Sequence, residues 1–288
     1  WCVGGTTNLA YNCLNRNIAA GRGDHPAVVW EGENGERRSM TYRELTSLTA
    51  RAAAGLVRLG CNRGDVIGIY MPMVPETVAA YLAIVSIGAI ALPMFSGFGA
   101  QAVAERLAHA EAKAVVTTDY SFRRGKKISM IDVMDAAAAS VPTLEHVVVV
   151  EREPSAGSVQ RGGRHLSWRD LTSGDQELPP AELPAEAPAM IVYTSGTTGK
   201  PKGTVHSHCG FMTKVALDYG IIFDLQAGDR LLWLSDMGWL TGPILVVAVP
   251  LMGATLVLAE GVPDYPEPGR LWRLVQDHRI SFLGVAPT

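Results

Sequence analysis

The sequence has few cysteines, little net charge and no apolar run long enough to cross a membrane. Its four cysteines, Cys2, Cys13, Cys61 and Cys209, share no C-x-x-C spacing and have no paired histidines. They indicate neither a zinc site nor a disulfide framework, and they favour a reducing, cytoplasmic setting. The formal net charge of −3 provides no basic field that would attract nucleic acid.

The most apolar stretch covers residues 244–259, but Pro250 and Gly253 interrupt it and it is shorter than the roughly 20 residues of a membrane span. No signal-peptide pattern is visible. A composition of 48% hydrophobic and 18% charged residues is typical of a soluble globular protein. The chain begins at Trp1 and stops at Thr288, directly after an apolar run. We therefore expect it to be a fragment of a longer protein.

Predicted strands and helices alternate along the chain. Residues 66–71 form an apolar strand pattern, residues 75–87 a helix pattern that opens with proline, and residues 89–93 a second strand pattern. Because this strand, helix, strand order has short connections, it predicts a parallel sheet covered by helices. Thr41 and Glu44 form a capping box, which marks the start of another helix. The predicted fold class is therefore α/β.

One segment interrupts the alternation. Residues 175–188 contain four prolines and four acidic residues without helical periodicity, which predicts a linker or surface crossover. The linker would separate a first α/β subdomain at residues 1–174 from a second at residues 189–288. We expect the two to pack together and the second to be incomplete.

The most informative stretch is residues 193–203, with the sequence YTSGTTGKPKG. It follows an apolar strand pattern, its glycines free the backbone to turn N–H groups toward an anion, and Lys200 and Lys202 add positive charge. The spacing differs from that of the ordinary ATPase P-loop, since Pro201 follows Lys200. The alternative is an exposed turn rich in glycine and threonine. The combination of residues favours a nucleotide-phosphate loop.

This loop resembles the ATP-phosphate signature of the adenylate-forming superfamily of acyl-CoA synthetases, and further segments are similar to its acetyl-CoA synthetase branch. These segments occur in the family order over nearly the whole chain: WCVGG at residues 1–5 with NLAYN at 8–12, FSGF at 95–98, RRGK at 123–126, DMGWLTG at 236–242 and EGVPDYP at 260–266. The resemblance implies an N-terminal domain made of two packed αβα subdomains, of which the second is truncated in this chain.

The resemblance also implies an activity, in which a short-chain carboxylate such as acetate or propionate is activated by ATP to acyl-AMP and transferred to CoA. AMP and pyrophosphate would be released, with Mg²⁺ as the shared counter-ion. The implied ATP-binding residues are Thr194, Ser195, Gly196, Thr197, Thr198, Gly199, Lys200 and Lys202. The implied CoA-binding residues are Phe95, Ser96, Gly97, Arg123, Lys126, Thr241 and Asp264. The implied acyl pocket is Trp239, Leu240 and Thr241, and the implied catalytic residues are Thr194, Lys200 and Thr241.

Several of these residues have a simpler interpretation. Trp239 could be a core residue, and Arg123 and Lys126 could belong to a solvated basic turn. His206 and His208 form an H-x-H pattern without a third ligand, so no metal site is predicted. Asp229 and Asp236 are read as isolated carboxylates.

Three departures from the branch pattern leave the identity of the carboxylate open. Residues 243–245 read Pro-Ile-Leu where His-Ser-Tyr is usual, Asp264 replaces Asn, and Lys126 replaces Arg. Lysine cannot make the bidentate contact of arginine. The family's adenine, ribose and C-terminal lysine motifs have no counterpart before Thr288, so we expect the chain to be inactive alone. The expected partners are the carboxylate, ATP, CoA and the C-terminal remainder of the same protein. Alternatives are a non-catalytic nucleotide- or CoA-binding module and an adenylating enzyme with another acyl acceptor.

Overall fold

The computed structural model describes residues 2–152, 163–194 and 202–285, which form two main β-sheets with helices around and between them. The helices are α1 (Leu9–Cys13), α2 (Asn15–Ala19), α3 (Tyr42–Arg58), α4 (Pro75–Ser86), α5 (Ala100–His109), α6 (Ile131–Ala138), α7 (Trp168–Thr172), α8 (His208–Val215), α9 (Thr241–Met252) and α10 (Arg270–Asp277), with a π-helix at Ala216–Ile222. The strands are β1 (Thr6–Thr7), β2 (Pro26–Glu31), β3 (Arg37–Thr41), β4 (Val66–Tyr70), β5 (Ile90–Pro93), β6 (Ala114–Thr118), β7 (Tyr120–Arg123), β8 (Lys126–Ser129), β9 (His146–Val150), β10 (His165–Ser167), β11 (Leu183–Pro184), β12 (Pro188–Thr194), β13 (Lys202–Ser207), β14 (Arg230–Trp233), β15 (Thr255–Ala259) and β16 (Phe282–Gly284).

The larger sheet has seven strands in the order β10-β9-β6-β4-β5-β12-β13. Its strands are parallel from β10 to β12, and β13 is an antiparallel edge. The predicted unit of strand, helix and strand is β4, α4 and β5, with Ile67 opposite Ala91. The predicted α/β class with a parallel sheet is therefore confirmed.

The second sheet has five strands in the order β16-β14-β15-β2-β3, of which only β3 is antiparallel to its neighbour. Each sheet takes strands from both sides of residues 175–188, because β2 and β3 pair with the late strands while β12 and β13 complete the early sheet. The sheets therefore do not follow the proposed ranges 1–174 and 189–288. The division into those two subdomains stays a prediction.

Helix α4 lies between the two sheets, where it contacts β4 and β5 on one side and β2 on the other. Nearly all of its residues are buried, which explains why its sequence is apolar around the whole circumference. Helix α3 packs beside it and begins at the predicted capping box, in which Thr41 and Glu44 exchange bonds of 3.2 Å and 2.7 Å. Across the described ranges, no helix combines the length and apolar composition needed to cross a membrane.

The N-terminal segment is tied to the start of α8 by a buried histidine. The backbone N–H of Leu9 donates to Nδ1 of His208 at 3.1 Å, and the His208 side chain is completely buried. Burial lowers the pKa of His208 to about 4. The imidazole is therefore neutral in the folded protein, with Nδ1 as the acceptor.

His208 should make the fold sensitive to mild acid. The unfolded chain binds this proton near pH 6.5 and the folded chain only near pH 4, so stability is lost as the pH falls through that window. We expect His208 alone to lower the free energy of unfolding by about 2 kcal/mol between pH 7 and pH 5. Urea unfolding at the two pH values measures this, and a His208→Asn variant, which cannot take up the proton, should lose that part of the pH dependence.

Candidate functional site

Two of the predicted site segments leave neighbouring parallel strands at the same edge of the seven-stranded sheet. Strand β5 leads into residues 95–98, and strand β12, which pairs with β5 through Met190 and Ala91, leads toward the phosphate loop. Ligands of open α/β sheets bind at the carboxyl ends of such strands. Of the predicted ATP-binding residues, Ser195, Gly196, Thr197, Thr198, Gly199 and Lys200 lie outside the described residues. Thr194 and Lys202 face each other across β12 and β13.

An aromatic and cationic cluster connects these two segments. The guanidinium of Arg106 lies over the ring of Phe98 at 4.2 Å and over the ring of Tyr193 at 5.8 Å. His109 packs edge-on against Tyr193 with ring centroids 5.6 Å apart, and the Tyr70 hydroxyl donates to the Phe98 carbonyl at 2.8 Å. Cation–π contacts of this kind hold a planar cation in place. The end of β12 and residues 95–98 are therefore fixed relative to each other.

Asp236 joins residues 95–98 to the segment that follows β14. Its carboxylate accepts from the backbone N–H of Ser96 at 3.1 Å, from the Ser96 hydroxyl and from the N–H of Gly238 at 2.9 Å. Burial raises the pKa of Asp236, although these hydrogen bonds act in the opposite direction. The sequence analysis predicted no acid/base pair for Asp236, and it missed this structural role. The available signal was the Asp-x-Gly pattern, since such an aspartate caps its own turn.

The two segments approach so closely at Gly238 that no side chain fits there. A Cβ atom at this position would lie 2.3 Å from both the Cα and the backbone N of Phe95. The Phe95 ring contacts the Trp239 ring with centroids 6.4 Å apart. Glycine is therefore required for residues 95–98 and 236–242 to meet.

The predicted acyl-pocket residues lie on one turn that enters helix α9. Trp239 is 66% exposed and Leu240 is 40% exposed, while Thr241 is the first residue of the helix. Trp239 is therefore not a core residue, so that simpler interpretation was wrong. The role of the three residues in binding an acyl group stays a prediction.

Two of the remaining predicted site residues, Arg123 and Lys126, lie on a β-hairpin formed by β7 and β8, which the sequence analysis missed. Arg123 and Lys126 face each other at its tip, and both are exposed. The turn between them consists of Arg124 and Gly125, with φ angles of 50° and 72°. The Arg124 guanidinium pairs with Asp264 at 2.9 Å. Among the described residues, no hydrogen bond or ring contact joins this hairpin to the cluster of Phe95 and Trp239.

Two buried carboxylates accept hydrogen bonds from the backbone of this hairpin. Glu33 accepts from the backbone N–H groups of Arg124 at 2.9 Å and Gly125 at 2.7 Å. Glu260 accepts from the N–H of Phe122 at 3.0 Å and forms a bidentate pair with Arg152 at 2.8 Å and 2.7 Å. Sequence reasoning missed both glutamates, since each follows a strand in a segment that reads as a polar turn.

His206 and His208 do not form a metal site with their neighbours. His206 packs edge-on against Phe211 with ring centroids 5.4 Å apart, and burial lowers its pKa. His208 bonds Leu9. Over the described part of the chain, no group of three or more His, Cys, Asp and Glu side chains could hold a metal ion.

Comparison with known proteins places this arrangement in a family. The profile of a family described as AMP-binding enzyme matches residues 15–288. The chain belongs to the AMP-binding enzyme family. This confirms the predicted resemblance to adenylate-forming enzymes.

Curated relatives of this AMP-binding enzyme chain include two acetyl-coenzyme A synthetases. The one from Deinococcus radiodurans is 43% identical over 290 residues, and the one from Streptomyces coelicolor is 41% identical over 291 residues. The matches cover all of this chain but 45% and 44% of those proteins. The chain thus spans less than half the length of these curated relatives.

A solved structure shares the fold of this AMP-binding enzyme chain. It is described as acetoacetyl-CoA synthetase from Streptomyces lividans, and it superposes with a TM-score of 0.89 at 30% sequence identity. The match covers 96% of this chain and 42% of that protein. The predicted fold, that of an acyl-CoA synthetase, is therefore confirmed.

Proposed function

We propose that the protein carrying this chain is an AMP-forming acyl-CoA ligase for a short-chain carboxylate. It would convert the carboxylate and ATP to acyl-AMP and pyrophosphate, and then transfer the acyl group to CoA with release of AMP. The observation that carries the proposal is that the carboxyl ends of three strands are linked: β12 pairs with β5, and Asp236, which follows β14, bonds Ser96, which follows β5. The names of the curated relatives support the same reaction class.

The residue types at this edge suit adenylation. A carboxylate oxygen attacks the α-phosphorus, the bond to the pyrophosphate oxygen breaks, and negative charge grows on the leaving phosphates. The hydroxyls of Thr194, Ser195, Thr197 and Thr198, the loop N–H groups and the Lys200 ammonium would stabilise that charge. Mg²⁺ bound with ATP would neutralise part of the polyphosphate charge. Because Mg²⁺ commonly binds through substrate phosphates and few protein ligands, a dedicated protein cage is not required.

The remaining predicted residues would serve the second half-reaction. Residues 95–97 and Thr241 would guide the CoA thiol to the acyl group, which Trp239 and Leu240 would bind. Arg123 and Lys126 would bind the 3′-phosphate of CoA, with Asp264 beside them through its pair with Arg124. Two cations facing a dianion supply charge-assisted hydrogen bonds.

The substrate would be acetate or a somewhat larger carboxylate such as propionate. Pro243 and Leu245, which replace polar residues usual in the acetyl-CoA synthetase branch, are buried in α9 and leave an apolar helix behind Thr241. A hydrophobic pocket discriminates one methylene by only about 1–3 kcal/mol, so overlapping activities on acetate and propionate are expected.

Acyl-dependent exchange of pyrophosphate into ATP tests the proposal. The full-length protein should catalyse exchange with acetate or propionate in the absence of CoA, and should form acyl-CoA when CoA is added. We expect Lys200→Ala to lower the exchange rate by about 100-fold, since it removes one of several charge-stabilising donors. Lys214→Ala, which removes an exposed lysine paired with Asp218, is the control and should leave the rate unchanged.

Absence of exchange with every short-chain carboxylate would contradict the proposal. Exchange without acyl-CoA formation would instead indicate an adenylating enzyme with another acyl acceptor.

A further inference from the structure

The β7–β8 hairpin has little support of its own. It is a pair of four-residue strands, and all residues of β8 are exposed. Two-stranded hairpins are marginally stable in water, and a non-glycine residue with positive φ, such as Arg124, adds strain. The position of its tip therefore depends on contacts from outside the hairpin.

Glu33 supplies the central contact. Its side chain comes from the loop between β2 and β3 and the residue is only 5% exposed. The carboxylate accepts hydrogen bonds from the backbone N–H groups of both turn residues, Arg124 and Gly125, and a third from the N–H of Val262 at 3.3 Å. Backbone bonds to an ionised carboxylate are roughly twice as strong as bonds between neutral groups. Glu33 thus fixes the turn through its backbone, and the side chains at the hairpin tip stay exposed to solvent.

The hairpin tip contains three cationic side chains, of which one forms an ion pair. Arg124 pairs with Asp264, while within residues 2–152, 163–194 and 202–285 neither Arg123 nor Lys126 has an ion-pair partner. Arg123 and Lys126 are also the pair that faces across the two strands. Their separation and direction are therefore set by the turn that Glu33 holds.

A buried arginine fixes the segment on the other side of the Glu33 carboxylate. Arg270 is 2% exposed, and its guanidinium donates to the carbonyls of Val262 at 2.8 Å and Glu260 at 2.7 Å, the residues that flank Gly261. Gly261 approaches the Glu33 carboxylate so closely that a Cβ there would lie 2.2 Å from an oxygen. Glu33 is thus held in one place by elements of both the early and the late sequence.

We propose that Glu33 is a positioning residue for CoA, which holds the hairpin turn so that Arg123 and Lys126 bind the 3′-phosphate together. The inference rests on the proposed function. It predicts a defect that is confined to the CoA half-reaction and that requires the 3′-phosphate. A purely structural role would instead lower stability without changing the use of CoA, and direct repulsion between Glu33 and CoA would make its removal favourable.

The test uses the full-length protein with Glu33→Ala and Glu33→Gln. In Glu33→Ala the KM for CoA should rise about tenfold, which corresponds to the loss of about one charge-assisted hydrogen bond. In Glu33→Gln, which keeps the side-chain shape and one acceptor oxygen, the KM for CoA should rise less. This variant keeps the test valid if the alanine variant folds poorly. Pyrophosphate exchange without CoA should stay within about twofold of wild type. Glu36→Gln removes the same charge from an exposed position in the same loop and should change neither quantity.

The decisive comparison is with 3′-dephospho-CoA. Wild type should bind this analogue poorly, and the Glu33 variants should bind it equally poorly, because the group that Glu33 helps to bind is missing. For the same reason the effects of Glu33→Gln and Arg123→Ala on the KM for CoA should not add. An unchanged or lowered KM for CoA, or an equal rise with both forms of CoA, would overturn the inference. If wild type shows no exchange at all, the proposed function fails instead.

Discussion

Replacing Glu260 by alanine should lower the free energy of unfolding by about 3–5 kcal/mol. Its carboxylate forms a bidentate pair with Arg152, and the two side chains are 3% and 7% exposed. The substitution would leave the Arg152 charge buried without its partner and would also remove the acceptor of the Phe122 N–H. Removing one partner costs more than the intact Glu260–Arg152 pair contributes, because the buried guanidinium and the Phe122 N–H group keep their desolvation penalty without an acceptor.

The matched control is Glu267→Ala. Glu267 also pairs with an arginine, Arg273, but both side chains are about half exposed. Exposed pairs contribute about 0–1 kcal/mol, so this variant should unfold close to wild type. Urea unfolding of both variants measures the difference. Equal stability of the two would mean that burial does not decide the strength of the Glu260 pair.

Gly238→Ala should disable acyl-CoA formation. The new methyl group would lie 2.3 Å from the backbone of Phe95, so residues 95–98 and 236–242 must separate, and Asp236 would lose its bonds to Ser96. Overpacking of this kind costs about 1–3 kcal/mol of stability. A displacement of about 1 Å at a site that positions reactants can lower the rate about 100-fold.

Gly99→Ala provides the control for that variant. Gly99 lies just beyond the same segment, has a φ of −77°, and has no atom within 4 Å of the position of an added Cβ. Gly99 is the N-cap of α5, where alanine is less favourable than glycine, so the stability of this variant should stay within about 1 kcal/mol of wild type, as measured by urea unfolding. Its acyl-CoA synthesis should be unchanged. Full acyl-CoA synthesis by Gly238→Ala would show that the contact between the two segments is not needed for the reaction.

The sequence was informative where the signal is local. The capping box at Thr41 predicted the start of α3, and the alternation of apolar runs predicted β4, α4 and β5 close to their observed bounds. Each of these elements is encoded by residues within one or two turns of each other, through hydroxyl caps, a proline at the helix start and apolar periodicity. The family resemblance, carried by short motifs, was equally visible.

Sequence reasoning failed where the partners are distant. The roles of Glu33 and Asp236 depend on segments about 90 and 140 positions away in the chain. The local Asp-x-Gly pattern of Asp236 indicates only that it caps its own turn, and Glu33 does not differ locally from a glutamate in an exposed turn. The pairing of β2 with β15 also has no local signal, since any buried parallel strand looks alike. The ATP-binding role of residues 195–200 stays a prediction, because those residues lie outside the described structure.

The exchange of strands between the two sheets has a consequence for biosynthesis. Strand β2 can pair with β3 soon after both are synthesised, but its other edge pairs with β15. There the Thr255 hydroxyl donates to the carbonyl of Pro26, which lies 229 positions earlier in the chain. Until those residues leave the ribosome, an apolar strand edge is open to other nascent chains. Pairing between such distant segments forms slowly, so this edge of β2 stays open longer than the edge that β3 covers.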